Sequence, residues 1–392
     1  MWQVGRSAAG LLIGGLVVLA GASPAMPAEW SAEPSLSVRE EFNDNILFTS
    51  APHRAVWGST VSPGLKFSVL SESVEVRGGA LMNFTRFVGE KGLDTTEQYF
   101  QVESLYRTDK QAWGLSGGVT RDTTLTSELL ETGLATIRLP RNQRTVNPSW
   151  QGSLSDRLSL RSSYQFTDVA YGGAGVLFDY QAHAPSAGVS YRLSERDTVE
   201  ATTYYLTYAA PSANIRADSY GAQVGLSHLF SETLRGALSG GARLVSTELT
   251  AAGVSRNDRE TAWLSEGTIE KQFETSVLRG RFGREINPSG AGFLVQVDRL
   301  SIAVEQEFTP AMKGSVSADA YWTSVLRTDI TASDRRFYRV ASEWRWQWSE
   351  WWFLDLSYSY AMLPSVGQTS AVDANATFIR LTYAPPKWAM SR

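Results

Sequence analysis

The sequence predicts an all-β fold: a transmembrane antiparallel up-and-down β-barrel of about 18 strands. Three observations predict it. Apolar and polar residues alternate with period two through most of the chain, which is the pattern of a strand with two unlike faces. Short polar turns recur every 35 to 47 residues, a spacing that holds two strands and one longer loop. Beyond residue 28 no segment keeps a helical period for several turns or approaches the roughly 18–20 apolar residues of a spanning helix.

Residues 1–28 read as a secretory signal peptide. Arg6 gives a sparse positive start, Ala8–Ala20 carries no charge, and Gly21 to Ala28 is a run of small residues, prolines and Met26. Cleavage is expected after Ala25 or Ala28. Residues 29–392 then form a single outer-membrane barrel domain, and Glu29–Pro34 leaves no room for a folded plug ahead of the first strand. The chain has no cysteine, so neither a lipidated N-terminus nor a disulfide framework is expected. A formal charge of −4 over 392 residues argues against nucleic acid as a partner.

The turns are Ser71-Glu72-Ser73, Thr108-Asp109-Lys110, Ser155-Asp156-Arg157, Ser194 to Asp197, Ser231-Glu232-Thr233, Glu274-Thr275-Ser276, Thr309-Pro310-Ala311 and Ser349-Glu350. Reading strands on both sides of each gives 36–46, 57–70, 74–84, 97–107, 112–120, 144–154, 158–167, 179–193 and 198–208. The second half gives 218–230, 234–247, 260–273, 277–286, 293–308, 313–322, 335–348, 351–360 and 374–384. Short turns alternate with long loops, as periplasmic turns and extracellular loops do in an outer-membrane barrel. Arg121–Asn142 is the longest loop and Asn287–Gly292 the shortest. An even strand number puts both termini in the periplasm.

Parity assigns the faces. Tyr220, Ala222, Val224 and Leu226 share one side of their strand with the lipid, and Gln223 lies opposite. Arg235 and Arg243 oppose Leu234, Leu238 and Leu244 on the next. By the same rule Glu75, Arg77, Glu103, Arg107 and Arg161 turn inward, followed by Glu266, Glu270, Arg279, Arg281 and Glu285. Asp319, Arg339, Glu343, Arg345 and Asp355 complete the candidate lumen lining. A charge on the lipid face costs about 2–4 kcal/mol at the midplane, so the confinement of charge to one parity is a physical constraint. In 293–308 the parity switches near Asp298-Arg299, which predicts a β-bulge. Tyr106, Trp113, Phe230, Trp346, Trp348, Trp351 and Trp352 cluster at strand ends beside the short turns and read as a periplasmic aromatic girdle.

Catalytic and metal constellations are not expected. The three histidines, His53, His183 and His228, are far apart, and the Gly114-Leu115-Ser116-Gly117 stretch lies mid-strand with no helix to expose its serine. No HExxH occurs, and Asp44 lacks the spaced glutamate of a calcium loop. The acidic patch Glu128–Glu131 reads as solvated loop charge. No cofactor and no metal are expected, and the protein is read as a non-enzyme. What the sequence offers is a wet lumen whose carboxylates and guanidinium groups can hydrogen-bond hydroxyl-rich solutes.

The first strand, Pro34-Ser-Leu-Ser-Val-Arg-Glu-Glu-Phe followed by Asn43-Asp44-Asn45-Ile46, resembles the opening of a family of outer-membrane β-barrel porins. Members are often encoded with exopolysaccharide synthesis and export machinery. The resemblance implies localisation in the Gram-negative outer membrane and a part in exporting an exopolysaccharide across it. The implied partners are outer-membrane lipid and lipopolysaccharide, a polysaccharide or sugar solute, and periplasmic polysaccharide-export components. The alternative is a structural, adhesive or general-diffusion barrel acting through its extracellular loops, chiefly Arg121–Asn142. One departure is the chain end: Pro385-Pro386 should stop the last strand near Ala384, leaving Tyr383 or Trp388 as the terminal aromatic.

Overall fold

The computed structural model describes residues 29–50, 53–129, 137–173, 177–251, 254–326, 335–364 and 371–391. The expected signal peptide lies outside the described residues. The chain runs through β1 (Glu29–Asn43), β2 (Val56–Leu70), β3 (Val74–Phe87), β4 (Thr95–Arg107), β5 (Gln111–Thr123) and β6 (Pro140–Ser153). It continues through β7 (Leu158–Tyr171), β8 (Tyr180–Arg192), β9 (Asp197–Ala210), β10 (Ile215–Ser231), β11 (Leu234–Ala251) and β12 (Val254–Gln272). The last third holds β13 (Ser276–Pro288), β14 (Leu294–Thr309), β15 (Met312–Val325), β16 (Arg335–Gln347), β17 (Trp352–Leu363), β18 (Val372–Tyr383) and β19 (Trp388–Ser391).

Consecutive strands from β1 to β18 pair antiparallel, and β1 pairs with both β2 and β18, the latter from Leu36↔Tyr383 to Asn43↔Ala376. The sheet therefore closes on itself as an 18-strand barrel. Closure leaves no edge, which is what a β-structure needs to cross lipid, where an unpaired backbone group has no water to turn to. The two prolines do break β18, but pairing resumes beyond them: β19 continues the same stave against β1, from Ala32↔Trp388 to Glu29↔Ser391. The last stave is thus longer than the sequence predicts, because residues 384–387 interrupt the ladder and the chain then returns to the lower half of β1 along the edge opposite β2.

The turns tighten as their polar residues dictate. Ser71 N–H donates to the Val74 carbonyl at 2.8 Å, Thr108 to Gln111 at 2.8 Å and Phe273 to Ser276 at 2.8 Å. Serine and threonine side chains cap the same turns, as when Ser194 Oγ accepts from the Arg196 and Asp197 N–H groups at 3.0 Å each. The outward face is an apolar band. Tyr220, Val224 and Leu226 stand in register with Leu244, Gly240 and Leu238, all solvent-exposed or side-chain-free in the isolated chain. Such a band, on a closed barrel, belongs in a bilayer, and the protein is an outer-membrane protein of the Gram-negative type.

The girdle residues gather around the short turns. Tyr106 and Trp113 are register partners, Trp113 packs on Trp150 with ring centroids 6.0 Å apart, and Trp346 stacks on Trp348 at 6.4 Å. Trp352 meets Tyr383 at 5.0 Å, and the neighbouring Trp351 carbonyl accepts the Ala384 N–H at 2.9 Å. Phe230 stays exposed at a bulge between Leu229 and Ser231.

The bulge predicted at Asp298-Arg299 is absent. Pairing of β14 with β13 and β15 runs unbroken through both residues, and the shift in β14 falls between Glu307 and Thr309. The parity switch has another cause. Asp298 faces outward, where Arg284 holds it with two hydrogen bonds of 2.6 and 2.8 Å, and Val295 and Val297 face inward because the outer end of the lumen is itself packed.

Candidate functional site: the lumen and its inward hairpin

Register places the predicted lumen residues on one shared face, in separate groups around the wall. Glu75 contacts Arg77 at 2.6 Å and Arg107 at 3.6 Å, with Glu103 opposite Arg77. Arg161 reaches across Gly188 to Glu200 at 2.8 Å and Thr202 at 2.9 Å. A longer chain of charges follows: Arg235 to Glu270 at 2.8 Å, Glu270 to Arg279 at 3.3 Å, and Arg279 to Glu305 at 2.6 Å. One step toward the outside, Arg281 bridges Glu266 at 3.1 Å and Glu285 at 2.7 Å. Asp319 lies in register with Arg339 and accepts from Ser301 at 2.7 Å. Asp355 is buried between Arg345 at 2.6 Å and Arg380 at 2.8 Å, and Arg380 also meets Glu343 at 3.3 Å. The exposed pairs among these contribute little stability each. Their effect is to keep the wall wet and its charges fixed in direction.

Gln223 and Arg243 form a different arrangement. Tyr204 donates its hydroxyl to Gln223 Oε1 at 3.0 Å, and Gln223 donates to Ser239 Oγ. The Arg243 guanidinium lies over the Tyr204 ring at 5.3 Å. Gly221 stands between Tyr204 and Arg243 in register, and any side chain there would strike the Arg243 backbone. The gap lets the guanidinium reach two strands across to the ring.

The outer end of the barrel is not an open mouth. The ladder between β12 and β13 stops at Ser265↔Arg284, while β12 runs on to Val254 and β13 to Pro288. Beyond that point both faces of the β13–β14 hairpin are buried. Ile286 and Leu294 pack into one apolar cluster with Val169, Tyr180, Leu206 and Tyr208. Val295 and Val297 pack into another with Leu129, Tyr321, Phe337 and Ala361. A hairpin in a barrel wall has one face on the lumen, so burial of both faces means that this one has folded into it.

The hairpin is fastened there. Tyr208 donates its hydroxyl to the Ser289 carbonyl at 2.9 Å, and Phe178 N–H donates to the Gly290 carbonyl at 2.7 Å. Gly290 N–H donates to Glu128 at 3.0 Å, Tyr171 donates its hydroxyl to the same carboxylate, and Arg141 lies 3.6 Å from it. Glu128 is therefore buried, and the reading of Glu128–Glu131 as solvated charge is corrected for its first member, while Glu131 lies outside the described residues. The loop turns inward because two donors and a buried guanidinium await its carboxylate. A side chain at Gly290 would collide with Tyr171, so the latch also needs glycine there.

Sequence reasoning missed Glu128, Arg141, Tyr171 and the inward hairpin. Arg141 lay just outside the predicted strand at 144–154. The available signal was the parity switch in β14, which marks where Val295 and Val297 turn into a packed interior. Among the described residues no group of three His, Cys, Asp or Glu side chains could hold a metal ion. His183 and His228 both face outward, bonded to Tyr164 at 2.6 Å and Asp197 at 2.7 Å, and do not converge.

Fold and lumen together define the class: a closed outer-membrane β-barrel with a charged inner wall and a packed outer end. No family model matches the chain, and no curated protein matches it. Solved barrels of Pseudomonas aeruginosa are similar in structure. OccK2 (OpdF) is 11% identical, covering 90% of this chain and 98% of its own, with a TM-score of 0.49. OpdO is 13% identical, with 92% and 97% covered and a TM-score of 0.47. OpdK, solved with vanillate, is 11% identical, with 91% and 99% covered and a TM-score of 0.47.

Proposed function

We propose that the protein is a passive channel for small hydrophilic solutes. The observation that carries this reading is the combination of a closed barrel, an inner face of fixed and water-exposed charges, and an outer end narrowed by the 285–293 hairpin. Charged walls replace the hydration of polar solutes without trapping them, and a narrowed mouth sets an upper size.

Export of an exopolysaccharide, implied by the family resemblance, gains nothing from this geometry. A polymer strand needs a continuous passage, and at the outer end the hairpin and Thr124–Leu129 occupy it together with two apolar clusters. Adhesion through Arg121–Asn142 is also less favoured, since Leu129 and Glu128 of that loop face the lumen.

Liposome swelling with sugars of graded size tests the proposal. Uptake should be rapid for monosaccharides and fall off steeply for oligosaccharides. A correctly folded barrel that neither swells liposomes nor conducts ions in planar bilayers would rule the channel out.

A further inference from the structure

At the outer rim of the apolar band the barrel wall parts. The ladder between β12 and β13 ends at Ser265↔Arg284, and among the described residues no strand pairs with that edge of β12 over residues 254–264. Register fixes the height of this gap. Phe282 and Leu300 are partners on the outward face, both exposed, and the next outward pair above them is Arg284 with Asp298. Charge on that face is tolerated only near the membrane surface, so the change from one pair to the next marks the boundary between acyl chains and head groups. Trp263 stands exposed on the β12 side of the gap, and tryptophan favours the same boundary. The gap therefore faces sideways, at the level of the outer leaflet's head groups.

Apolar side chains, not a backbone ladder, span the gap. Ala262 and Leu264 on β12 and Ile286 on β13 belong to one buried cluster. Parting two paired strands beside lipid leaves backbone groups with no partner, whereas parting apolar side chains costs little when an acyl chain takes their place. This seam therefore opens more easily than a paired one. Ile286 also lines a chamber of about 420 Å³ inside the barrel, within the size range of small-molecule sites. Tyr180 and Leu206 share its apolar side, and Gln143, Gln165 and Thr167 supply amide and hydroxyl groups on another. An apolar chain and a hydroxyl-bearing head each find a surface there. The space suits one short chain with a small head, and not a lipid with two long chains.

We propose that the gap between β12 and β13 is a lateral portal, through which small single-chain amphiphiles pass between the outer leaflet and the lumen. The chain enters between Leu264 and Ile286, and the head follows from the level of Trp263 and Arg284. Arg284 is already held by Asp298 through bonds of 2.6 and 2.8 Å, so the base of the portal does not call for a charged head. The portal is a second route beside the aqueous channel, and it does not depend on solute passing the mouth.

The chain has no cysteine, so single cysteines report on access. Ile286→Cys places a thiol at the gap, Leu206→Cys in the chamber, Leu300→Cys on the lipid-facing wall, and Ser163→Cys in the lumen on the periplasmic side of Gln165. The full-length barrel is folded into vesicles loaded with N-hexadecylmaleimide, whose chain keeps it in the bilayer while its head is free to enter the wall. Leu300→Cys should be modified fastest, Ile286→Cys and Leu206→Cys more slowly, and Ser163→Cys should stay unmodified. A sulfonated, water-soluble maleimide should reverse the order, modifying Ser163→Cys and sparing Leu300→Cys. The heat-dependent shift of a folded barrel on gels checks that each variant is native, and if Ile286→Cys fails that check, Leu206→Cys decides alone. No bilayer labelling at Leu206→Cys while Leu300→Cys reacts overturns the proposal, whether or not Ile286→Cys is labelled. Equal bilayer labelling at Ser163→Cys overturns it too, because the reagent then arrives through the water of the lumen. Bilayer labelling of Leu206→Cys in a barrel that passes no current would overturn the channel reading and leave the portal standing.

Discussion

Tyr171 donates its hydroxyl to Glu128 inside the outer end of the lumen, joining the end of β7 to a loop that follows β5. The same carboxylate accepts the Gly290 N–H at 3.0 Å, so a single side chain ties the inward hairpin to two elements at once. Glu128→Ala removes the acceptor and leaves the buried Arg141 without that carboxylate, a change of about 3 kcal/mol. We expect the hairpin to loosen and the single-channel conductance to rise, while the barrel still inserts. Tyr171→Phe should act in the same direction and more weakly, since it removes one donor. Conductance in planar bilayers checks both, and an unchanged value for Glu128→Ala would mean that the latch does not hold the mouth.

Pinning the hairpin should have the opposite effect. A Cβ placed on Gly292 would lie 3.5 Å from the Ala213 Cβ, within the span of a disulfide. The chain has no cysteine of its own, so Ala213→Cys with Gly292→Cys reports on this pair alone. Gly292 has a φ of 91°, so some strain accompanies the substitution. We expect the bond to form on oxidation, to lower conductance relative to the reduced form, and to release it again with a reductant. Failure of the two cysteines to cross-link would place the hairpin outside the mouth.

The contrast between wall and mouth shows what a sequence can carry. Along β10 and β11 each residue has one of two environments, lipid or water, so alternation alone sorts Val224 from Gln223. The Asp298-Arg299 switch breaks that code, and a bulge is the local explanation available to a sequence. The real cause is distant: Val295 turns inward because Leu129, Tyr321 and Phe337 make that part of the lumen apolar. Glu128 was misread for the same reason. A glutamate in a polar loop looks solvated until the fold brings Tyr171, Arg141 and Gly290 to it. Strand number and turns were therefore legible, and the latch was not, because its members come from four loops and strands that no local pattern links.

Asp355 tests the wall itself. It is buried at 1% exposure, but its partners Arg345 and Arg380 are 52% and 29% exposed, and the three tie β16, β17 and β18 together. Asp355→Asn keeps the shape and removes the charge. Partial solvation of the arginines moderates the cost, and we expect a loss of about 1–2 kcal/mol in urea unfolding from micelles. A neutral result would show that the two guanidinium groups find enough water without Asp355.

The facing of the barrel can be tested on one strand with two adjacent residues. Val224 is 59% exposed on the isolated chain and stands beside Leu226 in the apolar band, while Gln223 is hydrogen-bonded to Tyr204 in the lumen. Val224→Arg puts a charge into lipid near the middle of its strand, at about 2–4 kcal/mol, and should lower the yield of folded barrel in vesicles. Gln223→Leu loses one hydrogen bond to Tyr204 and one to Ser239 but stays on the wet side, so insertion should be near normal and conductance should change modestly. Folding yield into vesicles separates the two variants. If both insert equally well, the side assigned to lipid is the wrong one, because only lipid makes an arginine and a leucine differ so much one residue apart.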